Sequence, residues 1–352
     1  MSDTVLVTGA FGLVGRATVR HLATLGLPVV ATDLDTPANR GSAAALPAPI
    51  RARWADLTEP EQVADLISAV APAAIIHLAA VIPPLCYARP ALARRVNVDA
   101  TASLVKAAAG QAVRPRFIQA SSIAVYGPRN PHRVTGLLTA DTRLRPRDEY
   151  GRHKAHAEAI VRNSPLDWVI LRLGGVLTAD LSLRMDPNLI YFEALLPSDG
   201  RLQTIDVRDV AHALGAAVTA DVVGATLLIG GDDTHRLLQG QVASAVAAAL
   251  GLAGGLPPGR LGNPDDDDAW FATDWMDTAT AQRLLAHQHH SWPQLLAEMT
   301  AKAGWRRHAL QLAAPLARAF LTRRSPYRGR PGRYADPWGA IARKWVQPQA
   351  DS

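Results

Sequence analysis

Short apolar runs alternate with amphipathic stretches along the first half of the chain. The apolar runs are rich in Val and Ile, which favour strands, and they lie at residues 5–8, 29–32, 50–54, 74–78 and 116–120. Between them, apolar positions follow helical spacing over residues 13–25, 59–70 and 91–109. Strands separated by helices of this length predict βαβ units and a parallel sheet.

The second half adds strands and helices in a less regular order. Residues 168–173 (WVILRL) and 224–230 (GATLLIG) predict two further buried strands, and residues 206–218, 277–286 and 292–303 predict helices. We therefore expect an α/β fold, a doubly wound parallel sheet with a smaller C-terminal substrate lobe. Residues 1–173 would form the sheet domain, with 205–230 returning to it. Residues 174–300 would form the interleaved lobe and 301–352 a basic tail.

The composition is that of a folded protein. Of 352 residues, 48% are hydrophobic and 19% are charged, which excludes a disordered chain. No segment is predicted to span a membrane, and the N-terminus lacks the basic region of a signal peptide. One cysteine, Cys86, excludes an internal disulfide and fits a reducing compartment. These features lead us to expect a cytoplasmic protein.

Positive charge is concentrated near the C-terminus. Residues 301–352 carry eleven Lys and Arg against Asp336 and Asp351, a net charge of +9. The whole chain carries +6, so residues 1–300 carry −3. Because the body is acidic, the sequence does not support nucleic-acid binding.

The tail begins with an amphipathic helix. One face is apolar and is formed by Trp305, Ala309, Leu312, Leu316 and Phe320. Proline at position 315 is expected to kink or end this helix. Two interpretations stay open. The tail contacts an anionic membrane surface or an acidic partner, or it packs as a helix on its own domain and continues as a solvated arm.

A glycine-rich turn follows the first predicted strand and opens the first helix. Residues 8–15 (TGAFGLVG) place glycines where a pyrophosphate can approach the backbone and meet free N–H groups at the helix start. Asp33 ends the second strand, where a carboxylate can accept both ribose hydroxyls of an adenosine. Asp35 adds negative charge that would repel a 2′-phosphate. The sequence therefore predicts a Rossmann domain that binds NAD in preference to NADP.

Tyr150 and Lys154 carry the candidate chemistry. Their i, i+4 spacing places both side chains on one helix face. A phenol titrates near pH 10, so a proton shuttle near neutrality needs nearby positive charge. We expect that charge from the Lys154 ammonium and the positive nicotinamide ring. Only four of the 37 basic residues are lysines, so a lysine here is an unusual choice.

These motifs, in this order and spacing, resemble those of the extended short-chain dehydrogenases/reductases, the NAD-dependent epimerase/dehydratase group. The resemblance covers about residues 4–300. The matching segments are the glycine turn, Asp56-Leu57, His77-Leu78-Ala79-Ala80, Asn97 in VNVDAT, residues 121–127 (SSIAVYG), the Tyr150/Lys154 pair and residues 205–211 (IDVRDVA).

The resemblance implies roles residue by residue. Ser122 would donate a hydrogen bond to the substrate oxygen, with Ser121 as the competing serine. Tyr150 would move its proton, while Lys154 would tune Tyr150 and hold the cofactor ribose. Cofactor contacts are implied for Gly9, Phe11, Gly12, Leu13, Asp33, Asp56, Leu57, Leu78, Ala79, Ala80, Asn97 and Lys154. A homodimer through the helices near 91–109 and 150–161 is implied as well.

Departures from the family pattern narrow the activity. Ile123 follows Ser122 where the 4,6-dehydratases place an acid, so elimination of water is disfavoured. Arg172 is followed by Leu-Gly-Gly, so this segment lacks the Asn that, in the epimerases, helps to bind the substrate diphosphate. Arg201 lies one residue from its usual place in that pattern. Anchoring of a nucleotide diphosphate is therefore in question.

We accordingly expect an NAD-dependent oxidoreductase that interconverts a secondary alcohol and a ketone of a small-molecule substrate. An NAD-dependent nucleotide-sugar epimerase is the first alternative. The second is a non-catalytic NAD-binding regulator, against which the Tyr150/Lys154 pair argues. No metal site is expected, because His287, His289 and His290 have no partner at metal-ligand spacing and suggest a solvated helix end.

Overall fold

The computed structural model describes residues 3–180 and 186–346, so the end of the predicted tail, 347–352, lies outside the described residues. Its main feature is a seven-stranded parallel sheet in the order β3-β2-β1-β4-β5-β6-β9. These strands are β1 Val5–Thr8, β2 Val29–Asp33, β3 Arg51–Trp54, β4 Ala74–His77, β5 Arg116–Ser122, β6 Trp168–Leu173 and β9 Thr226–Ile229. The strands β7 Gly175–Leu177 and β8 Arg201–Asp206 belong to a second, smaller sheet. All seven coincide with predicted strands, and the predicted fold class is confirmed.

Helices cover both faces of this sheet. In chain order they are α1 Leu13–Thr24, α2 Pro37–Ala44, α3 Pro60–Val70, α4 Leu85–Ala88, α5 Pro90–Arg94, α6 Ala100–Ala109, α7 Glu149–Arg162, α8 Pro187–Leu195, α9 Val207–Ala216, α10 Gln239–Ala249, α11 Ala279–Leu285, α12 Trp292–Ala303, α13 Arg306–Arg323 and α14 Pro337–Ile341. Successive β1 side chains point to opposite faces. Val5 and Val7 pack with α1 and α9, while Leu6 packs with α3 and α6. Burial on both faces explains why the inner strands are largely apolar, whereas the edge strand β3 is mostly exposed and carries two arginines.

The smaller lobe contains a three-stranded sheet in the order β10-β8-β7, with β7 Gly175–Leu177, β8 Arg201–Asp206 and β10 Arg236–Leu238. β7 pairs with β8 in parallel and β10 pairs with β8 antiparallel. The helices α10 and α12 pack over it through a small apolar cluster. Between β8 and β10 the chain returns to the main sheet as α9 and β9, so the two units interleave.

The predicted helix over residues 91–109 is interrupted by a π-turn at Arg95–Asp99, between α5 and α6. Asn97 lies in this turn and is buried. A π-turn widens the helix by one residue and changes the direction of the side chains within it. The apolar pattern continues through the turn, so the sequence showed one helix where the structure has three segments.

In the tail, the helix α13 packs on the body as the second interpretation expected, while contact with a membrane or an acidic partner stays a prediction. Of the two outcomes expected at Pro315, a kink or an end, the end is wrong, because α13 runs through this residue. The segment after it, residues 325–346, is not a solvated arm. Tyr327 and Ile341 are buried in a cluster with Phe192 and Cys86 of the body. The arginines of this segment reach solvent while its aromatic and aliphatic side chains pack inward.

The histidines near residue 290 are also less exposed than expected. His287 is fully buried, and His290 Nδ1 lies 2.6 Å from Asp209 Oδ1. His289 stacks on His212, which in turn stacks on His21, with ring centroids 4.4 and 4.0 Å apart. These rings join α1, α9 and the loop before α12, so the expectation of a solvated helix end is wrong.

None of the helices within residues 3–180 and 186–346 combines the length and apolar character needed to cross a bilayer.

Candidate active site

The glycine turn lies at the carboxyl ends of β1 and β4. Gly9 adopts φ +62°, and a Cβ built on it would lie 2.7 Å from the Ala79 backbone nitrogen. A Cβ on Gly15 would overlap the backbone of Gly9 and Ala10. Gly12 is the N-cap of α1 and has no side-chain cap, so the first N–H groups of the helix keep their capacity to donate. The turn is therefore a narrow cradle at a helix N-terminus, the arrangement that receives a phosphate.

Asp33 faces this turn from the end of β2. Its Oδ2 accepts a hydrogen bond of 3.1 Å from the Phe11 backbone N–H, and its Oδ1 accepts one of 2.9 Å from Leu34. Each carboxylate oxygen can accept a further hydrogen bond, so both remain able to bind a ribose hydroxyl. Asp35 forms a bidentate ion pair with Arg40, so the Arg40 guanidinium is already paired with a carboxylate.

A buried polar chain ties β1, β4 and α6 beneath the turn. Thr8 Oγ1 lies 2.7 Å from His77 Nδ1, and His77 Nε2 lies 3.0 Å from Thr101 Oγ1. Thr8 Oγ1 also accepts hydrogen bonds from the backbone N–H groups of Leu78 and Ala79. Burial lowers the pKa of His77 to about 3, helped by the positive charge of Lys154, so this imidazole is neutral at physiological pH. Ala80 continues the same half-buried edge.

The remaining predicted cofactor residues surround this edge. Leu13 begins α1, exposed beside the turn, and Leu57 is buried after β3. Asp56 folds back to accept from Thr58, with bonds of 2.9 and 2.8 Å to its N–H and hydroxyl. Asn97 pairs with the backbone of one residue, because its Oδ1 accepts from Val81 N–H and its Nδ2 donates to Val81 C=O. This pairing fixes the loop after β4, so we regard Asn97 as a positioning residue.

The predicted catalytic residues converge at the end of β5. Ser122 ends this strand and Tyr150 lies in the first turn of α7, and the Ser122 hydroxyl is near enough to the phenol to lower its pKa. Lys154 lies one helical turn further along and is buried. Its Nζ donates to the Ala120 carbonyl at 2.8 Å and lies 5.9 Å from the centroid of the Tyr150 ring. The structure therefore brings the three side chains together.

Burial dominates the electrostatics of this group. Burial raises the pKa of Tyr150 above its ordinary value, and the nearby Cys86 and Asp148 raise it further, while the Ser122 hydrogen bond opposes the rise. Burial also lowers the pKa of Lys154 to about 8, so it is still largely an ammonium at neutral pH. Lys154 is not among the groups that shift the pKa of Tyr150, and its ammonium donates to the Ala120 carbonyl, so acidification of the phenol by Lys154 and the nicotinamide ring stays a prediction.

Ser121, the competing serine, is committed elsewhere. Its hydroxyl donates to Glu158 Oε1 at 2.5 Å, and both residues are buried. Arg172 binds the same carboxylate through two bonds, of 2.9 and 2.8 Å, and also donates to the Tyr126 hydroxyl at 2.6 Å. Arg172 thus joins α7, β5 and β6 inside the protein. It is not directed to a substrate.

Sequence analysis missed a second buried pair beside Tyr150. Tyr87 donates to Asp148 Oδ2 at 2.5 Å, and Asp148 Oδ1 accepts from the Gly151 N–H at 3.0 Å, which makes Asp148 the N-cap of α7. Burial raises the pKa of Asp148. An aspartate directly before the first helical residue is a recognised N-cap signal and could have been read from the sequence. Its partner Tyr87 could not.

A cluster of aromatic side chains packs against Tyr150. Its members are Tyr87, Tyr191, Phe192, Phe271, Trp338 and Trp345, and Tyr150 packs against the same cluster. Trp345 lies 6.3 Å from Tyr87 and 5.7 Å from Tyr191, measured between ring centroids. Trp338 and Trp345 belong to the C-terminal segment, so this segment helps to build the environment of the candidate catalytic tyrosine.

Comparison with known proteins fits this geometry. The model of the NAD dependent epimerase/dehydratase family matches residues 5–187, just over half of the chain. The chain is also 34% identical over 182 residues to D-erythronate dehydrogenase of Cupriavidus necator. That match covers 48% of this chain and 54% of the relative, so it spans about half the length of each protein.

Solved structures show the same fold. A short-chain dehydrogenase/reductase superfamily protein from Agrobacterium tumefaciens with bound NAD is 23% identical and gives a TM-score of 0.65, covering 90% of this chain and 100% of that one. The UDP-glucose 4-epimerase of Thermus thermophilus in complex with NAD is 21% identical with a TM-score of 0.68, covering 85% and 98%. With the family match, the glycine turn and the Tyr150/Lys154 pair, the chain belongs to the NAD dependent epimerase/dehydratase family of extended short-chain dehydrogenases/reductases, and NAD is its cofactor.

Proposed function

We propose that the protein oxidises a secondary alcohol to a ketone, or carries out the reverse reduction, with NAD. The observation that carries this proposal is the convergence of Ser122, Tyr150 and Lys154 at the carboxyl end of β5. In sheets of this type, ligands bind at the carboxyl ends of the strands. The glycine turn occupies the same edge two strands away, at the end of β1.

The residues around the turn suit NAD. The cradle at Gly9 and Gly12 and the free N–H groups of α1 would hold the pyrophosphate, and Asp33 would accept the adenosine ribose hydroxyls. Asp56, Leu57 and the edge 78–80 would line the adenine and nicotinamide sides, as the family resemblance implies. Bound NAD supplies the hydride acceptor or donor and a positive ring charge.

The chain's own residues would handle the proton. Tyr150 accepts the proton of the substrate hydroxyl during oxidation and returns it during reduction. The Ser122 hydroxyl lies near this phenol and would bind the same substrate oxygen. Lys154, fixed by Ala120, presents its remaining N–H groups toward the cofactor ribose. Because burial raises the pKa of Tyr150, positive charge from the cofactor is needed to make the phenol acidic enough.

Two arginines favour a dehydrogenase over a nucleotide-sugar epimerase. Arg172 is bound to Glu158 and Tyr126, and Arg201 stacks on Trp275 at 4.7 Å and pairs with Asp274. Neither guanidinium is left for a substrate diphosphate. The Cupriavidus relative is named for the oxidation of D-erythronate, so we propose a hydroxy acid as the first substrate class to test. A nucleotide-sugar epimerase is the second candidate, favoured by the likeness in fold to the Thermus enzyme.

The experiment is a cofactor assay on the purified protein. With NAD and a panel of hydroxy acids, the absorbance of reduced nicotinamide should rise. With UDP-sugars, an epimerase would convert substrate without net NADH. Tyr150→Phe should abolish turnover while changing NAD affinity less than about threefold, whereas Tyr334→Phe, outside the site, should keep turnover. Conversion of a UDP-sugar without NADH would establish the epimerase. Retained turnover in Tyr150→Phe would refute the catalytic assignment.

We also propose, from the family resemblance, a cytoplasmic homodimer that uses α6 and α7. Light scattering coupled to gel filtration would measure the mass. A monomer at micromolar concentration would contradict the dimer.

A further inference from the structure

The helix α13 carries two apolar faces. Its inner face is buried or half-buried against the body and is formed by Leu310, Ala313, Ala314, Ala317 and Leu321. The backbone of α13 approaches the turn that includes Gly251 and Gly255. Its outer face is formed by Trp305, Leu312, Leu316 and Phe320. The inner face accounts for the packing of the helix on the body. The outer face is exposed, so packing on the body does not explain its apolar character.

The outer face is unusually exposed. Leu312, Trp305 and Leu316 are 84%, 76% and 75% exposed, the three highest values among the exposed large apolar side chains of residues 3–180 and 186–346. Phe320 is 52% exposed. From Trp305 to Phe320 the stripe runs about 22 Å along the helix, at about 1.5 Å per residue. Contiguous exposed apolar surface of this kind marks an interaction site.

The surroundings of this face are strongly basic. Between Glu298 and Asp336 the sequence has no Asp or Glu and nine Lys or Arg. Five of these lie on or next to α13 and are exposed: Arg306, Arg307, Arg318, Arg323 and Arg324. None of the five forms an ion pair with a carboxylate in the part of the chain that the structure describes. A row of uncompensated positive charge therefore accompanies the apolar stripe.

The position of the charges fits a planar surface. By helical spacing, Arg306 and Arg324 lie on the flank between the inner and outer faces, and Arg323 lies on the outer face just beyond Phe320. The Arg324 guanidinium stacks on the Phe320 ring at 4.3 Å. Arg307 and Arg318 lie on the side of the helix that faces away from the apolar stripe. Helices that lie in a membrane interface place Trp, Phe and Leu toward the acyl chains and Lys or Arg beside the headgroups. α13 has this arrangement, with an aromatic residue at each end of its apolar stripe.

We propose that the outer face of α13 docks on an anionic lipid bilayer, with its apolar side chains among the headgroups and its arginines paired with lipid phosphates and carboxylates. A second copy of this chain is a poorer occupant, because self-pairing through the outer face would bring Arg306, Arg323 and Arg324 of one copy close to the same arginines of the other. An anionic surface supplies both the opposite charge and an apolar layer. This docking is independent of the proposed oxidoreductase activity.

The test is flotation of the full-length protein with lipid vesicles. One set contains phosphatidylcholine alone, and the other adds phosphatidylserine. Wild type should float with the anionic vesicles at least about tenfold more than with the neutral ones, and high salt should reduce this binding. Leu312→Ser/Leu316→Ser should lower anionic binding about tenfold or more, and Arg306→Gln/Arg323→Gln should lower it severalfold.

A matched control keeps the comparison fair. Val113→Ser/Arg114→Gln changes an exposed apolar and an exposed basic residue away from α13 and should bind like wild type. All variants should keep the thermal midpoint of wild type, because the altered side chains are exposed. Absence of flotation with anionic vesicles would overturn the proposal. So would equal flotation of Leu312→Ser/Leu316→Ser and wild type, or a wild-type dimer in gel filtration that these two changes dissociate.

Discussion

Replacing Gly9 by alanine tests the packing of the glycine turn against the end of β4. Gly9 has φ +62°, and the new Cβ would lie 2.7 Å from the Ala79 nitrogen and 2.8 Å from its Cα. Gly26 provides a matched control, because it has φ +70° and an added Cβ would meet no atom within 4 Å. Both changes carry the same conformational penalty. Only Gly9→Ala adds a steric clash.

The expected magnitudes follow from these two contributions. An alanine in the left-handed region costs about 1–2 kcal/mol, partly offset by a gain of about 0.5–1 kcal/mol from a less flexible unfolded chain. Gly26→Ala should therefore destabilise the protein by about 1 kcal/mol or less. Forcing the backbone of Ala79 away adds about 1–3 kcal/mol, as in other overpacked sites, so Gly9→Ala should cost about 2–4 kcal/mol.

Urea unfolding measures the two free energies, and titration calorimetry measures NAD affinity in parallel. Because Leu78 and Ala79 form the edge expected to contact the cofactor, Gly9→Ala should also weaken NAD binding about tenfold or more, whereas Gly26→Ala should leave it unchanged. Equal destabilisation by the two substitutions would refute the steric argument. Unchanged NAD affinity in Gly9→Ala would show that this turn does not hold the cofactor.

Three further changes test separate parts of the structure. Asp33→Ala should weaken NAD binding about tenfold and reduce discrimination against NADP. Calorimetry with both cofactors measures the two affinities, and an unchanged ratio of NAD to NADP affinity would contradict the role of Asp33. Glu158→Gln should destabilise the fold by about 3–5 kcal/mol, because it leaves Arg172 buried without a counter-charge, and a loss below about 1 kcal/mol in urea would refute that role. Burial lowers the pKa of His212 to about 4, from 6.5, so stability should fall as pH drops from about 6.5 toward 4, where the unfolded chain binds the proton more readily. Because His212 is partly solvated, the loss in the free energy of unfolding should be about 1 kcal/mol. His212→Gln should make the thermal midpoint fall less over this pH range. If the variant and the wild type gave the same pH profile, His212 would not be the group responsible.

The parallel sheet could be predicted because its strands, apart from the exposed edge strand β3, are buried on both faces. Such strands appear as short, continuous apolar runs, and the turns between them carry glycine, proline or aspartate. The glycine turn, Asp33 and the Tyr150/Lys154 pair were equally accessible, because each depends on spacing within one βα unit or one helix. The structure places all of them at one edge of the sheet, although their roles stay predictions.

Features that depend on distant partners could not be predicted. Ser121 and Ser122 are adjacent, and only the position of Glu158 shows that Ser121 is engaged elsewhere. The same holds for Tyr87, whose partner Asp148 is 61 residues away. The many arginines of the segment after α13 suggested a solvated arm. Composition does not show that the aromatic side chains of the same segment pack against the body while the arginines reach solvent.

The position of Trp338 and Trp345 beside the candidate catalytic tyrosine has a practical consequence. A chain that stopped after Arg323 would keep all seven strands of the main sheet. It would lose Tyr327, Trp338, Ile341 and Trp345, and with them part of the apolar cluster that packs against Tyr150. Shortening the protein at this end should therefore disturb the surroundings of the candidate catalytic tyrosine before it disturbs the glycine turn.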